Sequence, residues 1–407
     1  MKLALMLAAC AAAWPARAQD PPKPAATPPG GAQKETEVRH DVAVPATMTQ
    51  AQARVVLDKA LAFICSSQHP DGSWCGVGPD SVMELGYSPE TYYDWTLGAI
   101  EVALLALMES DETPERRATL EKGMKWLCES RLPARGDGFD NDGIWPSLYG
   151  VVATVRAMRD PRFKSPEWQT AIGKRGKEYW AILELNQVPD GGWGYYDVER
   201  PFTQRPKWAT SFATASVVPA LKEAKQLGWI TDPKIRQRAV DYVAGCALPS
   251  GAYEYDLNPI PRVHGGEHIN NVKGSLGRIQ ICNWALRQSG VKFVTDEKIA
   301  EGLGFFFEEH RFLDAARMRP IPHEAYYANA GYFYDFGHYY CALAINCLPE
   351  AQREAWHAKL RPHLAKTQYD DGSTGDFLHS RYDVLASTGY MALALQAGLP
   401  AASQPTK

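Results

Sequence analysis

The stretch "KALAFICSSQHPDGSWCG", Lys59 to Gly76, joins a helical pattern to a Gly-containing turn and returns along the chain in altered form. Counted from Lys59, it has a small residue at position 1, an aromatic at 4, an aliphatic at 5, Gln at 9, Gly at 13 and Trp at 15. The same spacing fits, in part, from five further starts, 56 to 63 residues apart: Lys122, Glu178, Arg238, Glu301 and Lys359. The chain therefore contains six repeats of about sixty residues.

Each repeat predicts a helical hairpin. Its first helix carries the aromatic and aliphatic positions, and after the turn and a variable loop a second, more apolar helix follows, such as residues 94–109 or 384–397. Period-two alternation typical of strands is almost absent. Six hairpins close most simply as a ring with the apolar helices inside, so we expect an all-α fold, an (α/α)6 toroid of six helical-hairpin repeats.

The spacing Lys/Arg, small, aromatic, aliphatic, Gln, Gly, Trp resembles the QW motif of the squalene and hopene cyclases. The layout resembles the wider terpenoid cyclase and protein prenyltransferase superfamily, over about residues 50–399. Residues 59–74 match every position of the motif and the other five copies match it partly. The resemblance implies an α/α toroid with a central cavity. In the motif we expect Gly to end a helix, Gln to satisfy backbone groups at a neighbouring helix end, and Trp to cover the joint.

The composition is that of an ordinary globular protein and excludes a basic nucleic-acid binder. The 407 residues are 45% hydrophobic and 22% charged, with a formal net charge of -4. Seven cysteines follow residue 18, several of them in helical patterns, so a disulfide scaffold is not expected.

The ends of the chain predict four segments. Residues 1–18, with one Lys, an apolar run and Ala16-Arg17-Ala18, predict a cleaved signal peptide, so we expect an exported protein, periplasmic or secreted. Residues 19–50 are a Pro- and Ala-rich flexible linker, residues 51–400 the toroid, and residues 401–407 a disordered tail. No later apolar stretch reaches the ~18 residues needed to span a bilayer, so no transmembrane helix is expected.

A Tyr-Asp step lies at the start of three predicted inner helices. One interpretation makes each Asp an N-cap. The other places a rim of carboxylates and tyrosines at the mouth of the cavity, where they carry out acid–base chemistry and bind ligand. The steps are Tyr93-Asp94, Tyr334-Asp335 and Tyr382-Asp383.

The fifth repeat has the densest set of polar groups, in "HEAYYANAGYFYDFGHYYCALAI", residues 323–345. For catalysis we expect Asp335 or Asp94 as proton donor, His338 as its partner and Tyr339 as an orienting group. The prenyltransferase resemblance implies a zinc-ligand role for His338. Its Asp-x-Cys partner pair is incomplete, because Cys282 has no Asp two residues before it.

Two further groups are candidates for ligand or metal binding. "HGGEH", residues 264–268, fits the H-x-x-E-H zinc pattern, but its two glycines favour a loop. The alternative is a polar lid in which His264, Glu267 and His268 contact ligand, with Arg278 on the fourth inner helix as a further contact. The weak metal candidates are therefore His338, Cys282, His264 and His268, and zinc is the one cofactor that the sequence leaves open.

The sequence lacks the D-x-D-D proton donor of squalene cyclases and the D-D-x-x-D diphosphate signature, which argues against ordinary squalene cyclisation. We expect the cavity to bind a small-molecule or lipid-like partner, an extended apolar or isoprenoid-like ligand, with acid–base cyclase or lyase chemistry. Two alternatives stay open: a glycan-active toroid, and a binding scaffold without catalysis. Oligomeric state is not indicated.

Overall fold

The computed structural model describes residues 45–76, 87–133, 143–195, 206–232, 234–257, 266–377 and 381–400. These residues form thirteen α-helices and no strand, with a single β-bridge between Ala247 and Tyr253. None of the helices described has the length and apolarity that a membrane span requires. The helices are α1 (Gln50–Ser66), α2 (Pro89–Met108), α3 (Pro114–Glu129), α4 (Trp145–Arg159), α5 (Pro166–Asn186), α6 (Ser211–Gln226), α7 (Lys234–Gly245), α8 (Leu276–Gln288), α9 (Asp296–Glu308), α10 (Arg311–Ala316), α11 (Phe333–Ile345), α12 (Glu350–Ala365) and α13 (Arg381–Ala397).

Six of the helices form a closed inner ring. Helix α2 packs on α4, α4 on α6, α6 on α8, α8 on α11, α11 on α13, and α13 returns to α2. Helices α1, α3, α5, α7, α9 and α12 each pack against the inner ring from outside, and the short α10 follows α9. The all-α (α/α)6 toroid is therefore confirmed.

Several helices begin at a Ser or Thr followed by Pro and Glu. Ser88, Thr113 and Ser165 are the N-caps of α2, α3 and α5, and each side-chain oxygen accepts a hydrogen bond from the backbone N–H three residues on. Proline at the next position loses nothing there because that N–H has no helical partner, and the Glu complements the helix dipole. These local signals fix where the helices start.

The repeated Gln bridges neighbouring outer helices. Gln68 donates to its own turn at Gly72 O (3.2 Å) and to Thr119 O of α3 (2.9 Å). Gln187 bonds Gly191 O and Ile235 O of α7 in the same way. In the last repeat Gln368 bonds Gly372 O (3.0 Å) and Val56 O of α1 (2.8 Å), which ties the end of the ring to its beginning.

The turn Gly and the Gln differ in detail from the expectation. Gly72 has φ +97°, as expected, but α1 already ends at Ser66, so Gly72 forms the turn and does not end the helix. A Cβ on it would lie 2.5 Å from Lys122 O of the next outer helix, so only Gly allows this close approach. Trp74 donates from Nε1 to Ile64 O (2.8 Å) and is buried. The Gln partners Thr119 and Val56 lie inside their helices, and only Ile235 lies at a helix start.

All seven cysteines after residue 18 lie within the described residues, and no two of them form a disulfide bond. The ring is therefore held by packing and hydrogen bonds without disulfides.

Candidate functional site

A cavity of about 340 Å³ opens among the N-terminal ends of the inner helices. Trp145 is the first residue of α4, Phe212 the second of α6 and Tyr382 the second of α13. No Lys or Arg lines it within the described part of the chain. Thirteen aromatic residues form most of the wall: Tyr87, Trp95, Trp145, Tyr149, Tyr195, Phe212, Tyr255, Tyr332, Phe333, Phe336, Phe377, Tyr382 and Tyr390.

The aromatic rings of the wall contact one another. Trp95 of α2 stacks on Tyr382 of α13 with ring centroids 5.3 Å apart and planes at 27°. Trp145 and Phe212 have centroids 5.8 Å apart. These contacts hold the rings in place around the cavity, where their faces can pack on an apolar ligand and attract a positive charge.

Two carboxyl groups enter this aromatic wall and a third lies beside them. Asp376, in the segment after α12, and Asp383, the third residue of α13, line the cavity. Their carboxyls are hydrogen-bonded to each other. Asp335 donates from its backbone N to Asp376 Oδ2 (2.9 Å), and Phe377 N donates to Asp383 Oδ2 (3.2 Å). We call Asp335, Asp376 and Asp383 the carboxyl cluster.

Burial decides the protonation of the carboxyl cluster. It raises the pKa of Asp376 to about 6, although the Asp335 N–H, the Asp383 side chain and Arg317 all favour the carboxylate. Burial and the neighbouring Asp376 raise the pKa of Asp383 and of Asp335 well above the usual range. Asp376 therefore loses its proton at lower pH than Asp383 and Asp335, whose pKa values are raised further.

Arg317 is held beside the cluster without forming a closed ion pair. Its Nη2 donates to Gly375 O (2.6 Å), the residue before Asp376, and its positive charge opposes the rise in the pKa of Asp376 and of Asp335. Arg317 thus limits the cost of burying the charge on Asp376.

Replacing Asp335 by Asn should stabilise the protein increasingly as pH rises. Both carboxyl oxygens of Asp335 are buried and lack hydrogen-bond partners. Because its folded pKa is raised, its favourable contribution is fully present below about pH 4, the unfolded pKa, and is lost as pH rises towards the folded value. We expect the melting temperature of wild type to fall more steeply than that of Asp335→Asn between pH 4 and 8, measured by calorimetry. The exposed Asp241→Asn is the control, and equal slopes for Asp335→Asn and wild type would contradict the prediction.

The structure brings together some of the predicted Tyr-Asp residues. Asp383 and Tyr382 line the cavity, and Asp335 contacts Asp376 next to it. Asp94 is the sixth residue of α2, buried and outside the lining. Tyr93 is also outside the lining, since its hydroxyl donates to Arg131 O (2.8 Å) and the Arg131 guanidinium lies 3.6 Å from its ring centre.

The N-cap interpretation of these Asp residues is wrong. The N-caps of α2 and α11 are Ser88 and Tyr332, and Asp383 is the third residue of α13. All three Asp residues lie within the first two turns of their helices. In the first turn, the backbone N–H of Asp335 donates to Asp376, and the carboxyl of Asp383 accepts from Phe377 N.

Asp335, His338 and Tyr339 do not form the expected trio. His338 Nδ1 donates to Tyr334 O (2.7 Å), and its Nε2 lies 2.9 Å from His310 Nε2. Tyr334 is buried, with its hydroxyl donating to His363 O (3.0 Å). Tyr339 lines a separate cavity of about 870 Å³ with the C-terminal half of α11.

His268 and Arg278 lie near the cavity but not in its wall. His268 lines an adjoining cavity of about 250 Å³ that shares Tyr255 and His323 with the main one. Arg278 of α8 is buried, donates from Nη2 to Ile269 O, and has its guanidinium 5.3 Å from the Tyr255 ring centre. Its Nε and Nη1 have no hydrogen-bond partner.

The remaining candidates lie apart from one another. Glu267 accepts a hydrogen bond from Tyr327 N (3.4 Å), and residues 266–268 are not helical, in line with the two glycines. Cys282 is buried beside Arg278 and Ser211, and burial raises its pKa to about 12. His264 lies outside the described residues.

Sequence reasoning missed Asp376, His310 and His363. Asp376 follows the Gly372 turn of the last repeat, seven residues before Asp383. His310 occupies the Gln position of the fifth repeat, and His363 occupies the aromatic position of the sixth. Reading each repeat for its departures from the pattern could have found the two histidines.

Comparisons with known proteins bear on the fold. No family model and no curated protein sequence matches the chain. Among solved structures, the type II terpene cyclase MstE from Scytonema is 13% identical, with a TM-score of 0.52 over 86% of this chain and 99% of that one. An unsaturated glucuronyl hydrolase from Streptococcus agalactiae is 13% identical, with a TM-score of 0.53 over 86% and 93%.

An α-1,6-mannanase from Salegentibacter is similar to the same extent, 13% identical with a TM-score of 0.52 over 85% of this chain and 98% of that one. At these identities the similarity establishes the fold and nothing about the reaction. The chain has the α/α toroid fold that this terpene cyclase, this glucuronyl hydrolase and this mannanase share.

Proposed function

We propose that the protein is an enzyme that protonates an extended apolar, isoprenoid-type ligand in the aromatic cavity and releases an isomerised or cyclised product. The observation that carries this proposal is the hydrogen-bonded Asp376–Asp383 pair, in which burial favours a retained proton, in the wall of a cavity lined mainly by aromatic rings. The MstE cyclase shows that such a fold supports cyclisation of a terpene.

The reaction needs no oxidant or reductant. The Asp383 O–H bond breaks as its proton joins an alkene carbon of the ligand, and the π electrons form the new C–H bond and leave a carbocation. A second alkene can attack this cation to close a ring. Loss of a proton from a neighbouring carbon to the carboxylate pair then forms the product alkene and restores the acid.

The cavity wall suits the cation that this step creates. The rings of Trp95 and Tyr382 present π faces beside Asp383, and Trp145 lies further along the wall. Asp376 remains ionised and hydrogen-bonded to Asp383, and Asp335 N–H and Arg317 position it. A missing D-x-D-D run is then no obstacle, because carboxyls from three separate segments come together in the fold.

A glycan is the second candidate ligand. Paired carboxyls beside aromatic rings also suit glycoside cleavage, and a glucuronyl hydrolase and a mannanase share the fold. The described lining contains no Lys or Arg to pair with a uronate, so a neutral glycan fits better than an acidic one. A binding scaffold without catalysis is the third possibility that the experiment separates.

The proposal is tested by incubating the purified protein with squalene, polyprenyl alcohols and neutral oligosaccharides and analysing the products by mass spectrometry. We expect an isoprenoid to give a product of equal mass, or of that mass plus water, with a new retention time. Cleavage of an oligosaccharide with every isoprenoid unchanged would replace the proposal by the second candidate. Retention of an isoprenoid without any conversion would support the scaffold.

We also propose that this activity is located outside the cytoplasm. Residues 1–18 support export because their pattern is that of a signal peptide. Residues 19–50 would then be a flexible tether for the ring. We also propose that the six repeats are of the QW type.

A further inference from the structure

Three histidines from three different helical elements meet behind the inner ring. His310 follows α9 and begins α10, His338 lies in α11, and His363 lies in α12. One ring nitrogen from each lies within 4.8 Å of the other two. His310 and His338 are buried and His363 is half-buried. We call these residues the histidine cluster.

Hydrogen bonds fix the tautomers of two of these rings. His310 Nδ1 donates to Asp314 Oδ2 (3.0 Å), and His338 Nδ1 donates to the carbonyl of Tyr334 (2.7 Å). A carboxylate and a carbonyl only accept, so each Nδ1 carries a proton. Lys366 Nζ also donates to Asp314, which pairs that carboxylate with a positive charge. In each neutral ring Nε2 is therefore left with a lone pair.

The two Nε2 atoms lie 2.9 Å from each other. Two lone pairs repel at this distance, so the arrangement calls for a cation between them. Nitrogens bound to one tetrahedral metal ion at ~2.0 Å are about 3.3 Å apart, close to the observed spacing.

The third ring supplies another free nitrogen. His363 Nδ1 is buried and has no hydrogen-bond partner. Its ring centre lies 3.8 Å from that of His310. The Asp314 and Tyr334 bonds are also the outer contacts that metal-bound imidazoles usually make.

We propose that His310, His338 and His363 bind one divalent transition-metal ion of the imidazole-preferring class, with Zn²⁺ as the probe. The site is separate from the proposed catalytic cavity. Phe336 lines that cavity, and His338, two residues later, projects about 200° away around α11. It also differs from the zinc set considered from the sequence, because Cys282 is not one of the ligands.

The position in the repeat explains what this ion does. Gln68, Gln187 and Gln368 each tie their turn to the next outer helix. In the fifth repeat His310 stands in that place, and the next outer helix, α12, contributes His363. The metal ion thus joins repeats five and six, whose segments carry the three members of the carboxyl cluster.

The test uses the full chain purified without a histidine tag, stripped with chelator and titrated with Zn²⁺ and with Co²⁺. We expect about one ion per chain by mass spectrometry, a higher melting temperature with metal, and visible ligand-field absorption with Co²⁺. In His338→Gln and in His363→Gln, we expect the affinity for Co²⁺ to fall by a factor on the order of 100 or more. The control variant is His69→Gln, because His69 lies outside the cluster and is hydrogen-bonded to Ser73. This variant should bind Co²⁺ as tightly as wild type does.

A stripped wild-type protein that binds neither ion and whose melting temperature is unchanged by both would overturn the proposal, leaving a shared proton between His310 and His338. Equal Co²⁺ affinity in wild type and His363→Gln would also overturn it, by placing the metal elsewhere. If His338→Gln does not fold, His363→Gln decides, because that ring is at the more exposed edge of the cluster.

Discussion

Asp383→Asn should reduce turnover by a factor of about 10² to 10⁴ while ligand affinity changes little. Asn has the shape of Asp, but it cannot deliver the proton that the raised pKa of Asp383 favours. Affinity should persist because the aromatic wall is unchanged. Turnover is measured by product formation, and affinity by quenching of tryptophan fluorescence, since Trp95 and Trp145 line the cavity.

The pH profile separates the two members of the pair. Wild-type turnover should rise as pH passes about 6, where Asp376 ionises, and fall at higher pH as Asp383 loses its proton. Asp376→Asn should remove the rise near pH 6. The exposed Asp241→Asn should keep wild-type turnover and profile. Full activity in Asp383→Asn would show that another group protonates the ligand.

The ring could be predicted from sequence because the residue pattern that specifies it is short and occurs in every repeat, in full or in part. A Gln, a Gly and a Trp at fixed spacing specify one joint, and six full or partial copies about sixty residues apart leave closure as the simple solution. The structure adds the reason for the spacing. Gln368 bonds Val56 O, so the last repeat uses the same contact to meet the first. The pattern does not predict that this bond is accepted by a carbonyl inside the helix, and not by one at its end.

The carboxyl cluster could be predicted only in part, because it depends on how far along each helix an Asp lies. The Tyr-Asp step is the same in α2 and α13, yet Asp94 is the sixth residue of its helix and Asp383 the third of its own. Only Asp383 therefore lies at the mouth of the ring. Asp376 belongs to no helix and no motif. Its role depends on its contacts with Asp335, which is distant in sequence, and with Asp383, which lies in the next helix.

His338 shows the limit of reasoning from helical spacing. Asp335 and His338 are three residues apart, which predicts side chains on neighbouring parts of one helix face. In the structure the backbone N–H of Asp335 donates to Asp376 in the segment after α12, whereas the His338 ring lies against His310 and His363. The packing of α9, α11 and α12 determines which neighbour each side chain contacts. This packing cannot be predicted from helical spacing in a single sequence.

Trp193→Ala should lower the free energy of unfolding by about 3–5 kcal/mol, the largest stability change that we expect from one substitution in the joints. The Trp193 side chain is fully buried, and its Nε1 donates to Leu183 O of α5 (2.7 Å). Truncation removes this hydrogen bond, leaves the Leu183 carbonyl without it, and opens a cavity that the rigid α5 and α6 can fill only partly.

The measurement is equilibrium unfolding in urea, with Trp208→Ala as the matched control because the side chain of Trp208 is 39% exposed. The midpoint should fall strongly in Trp193→Ala and by about 1 kcal/mol or less in Trp208→Ala. Equal shifts would mean that the repeated Trp only covers surface. A large shift confined to Trp193 would show that a partial copy of the motif, one of the five that match incompletely, holds the ring as firmly as a buried core residue does.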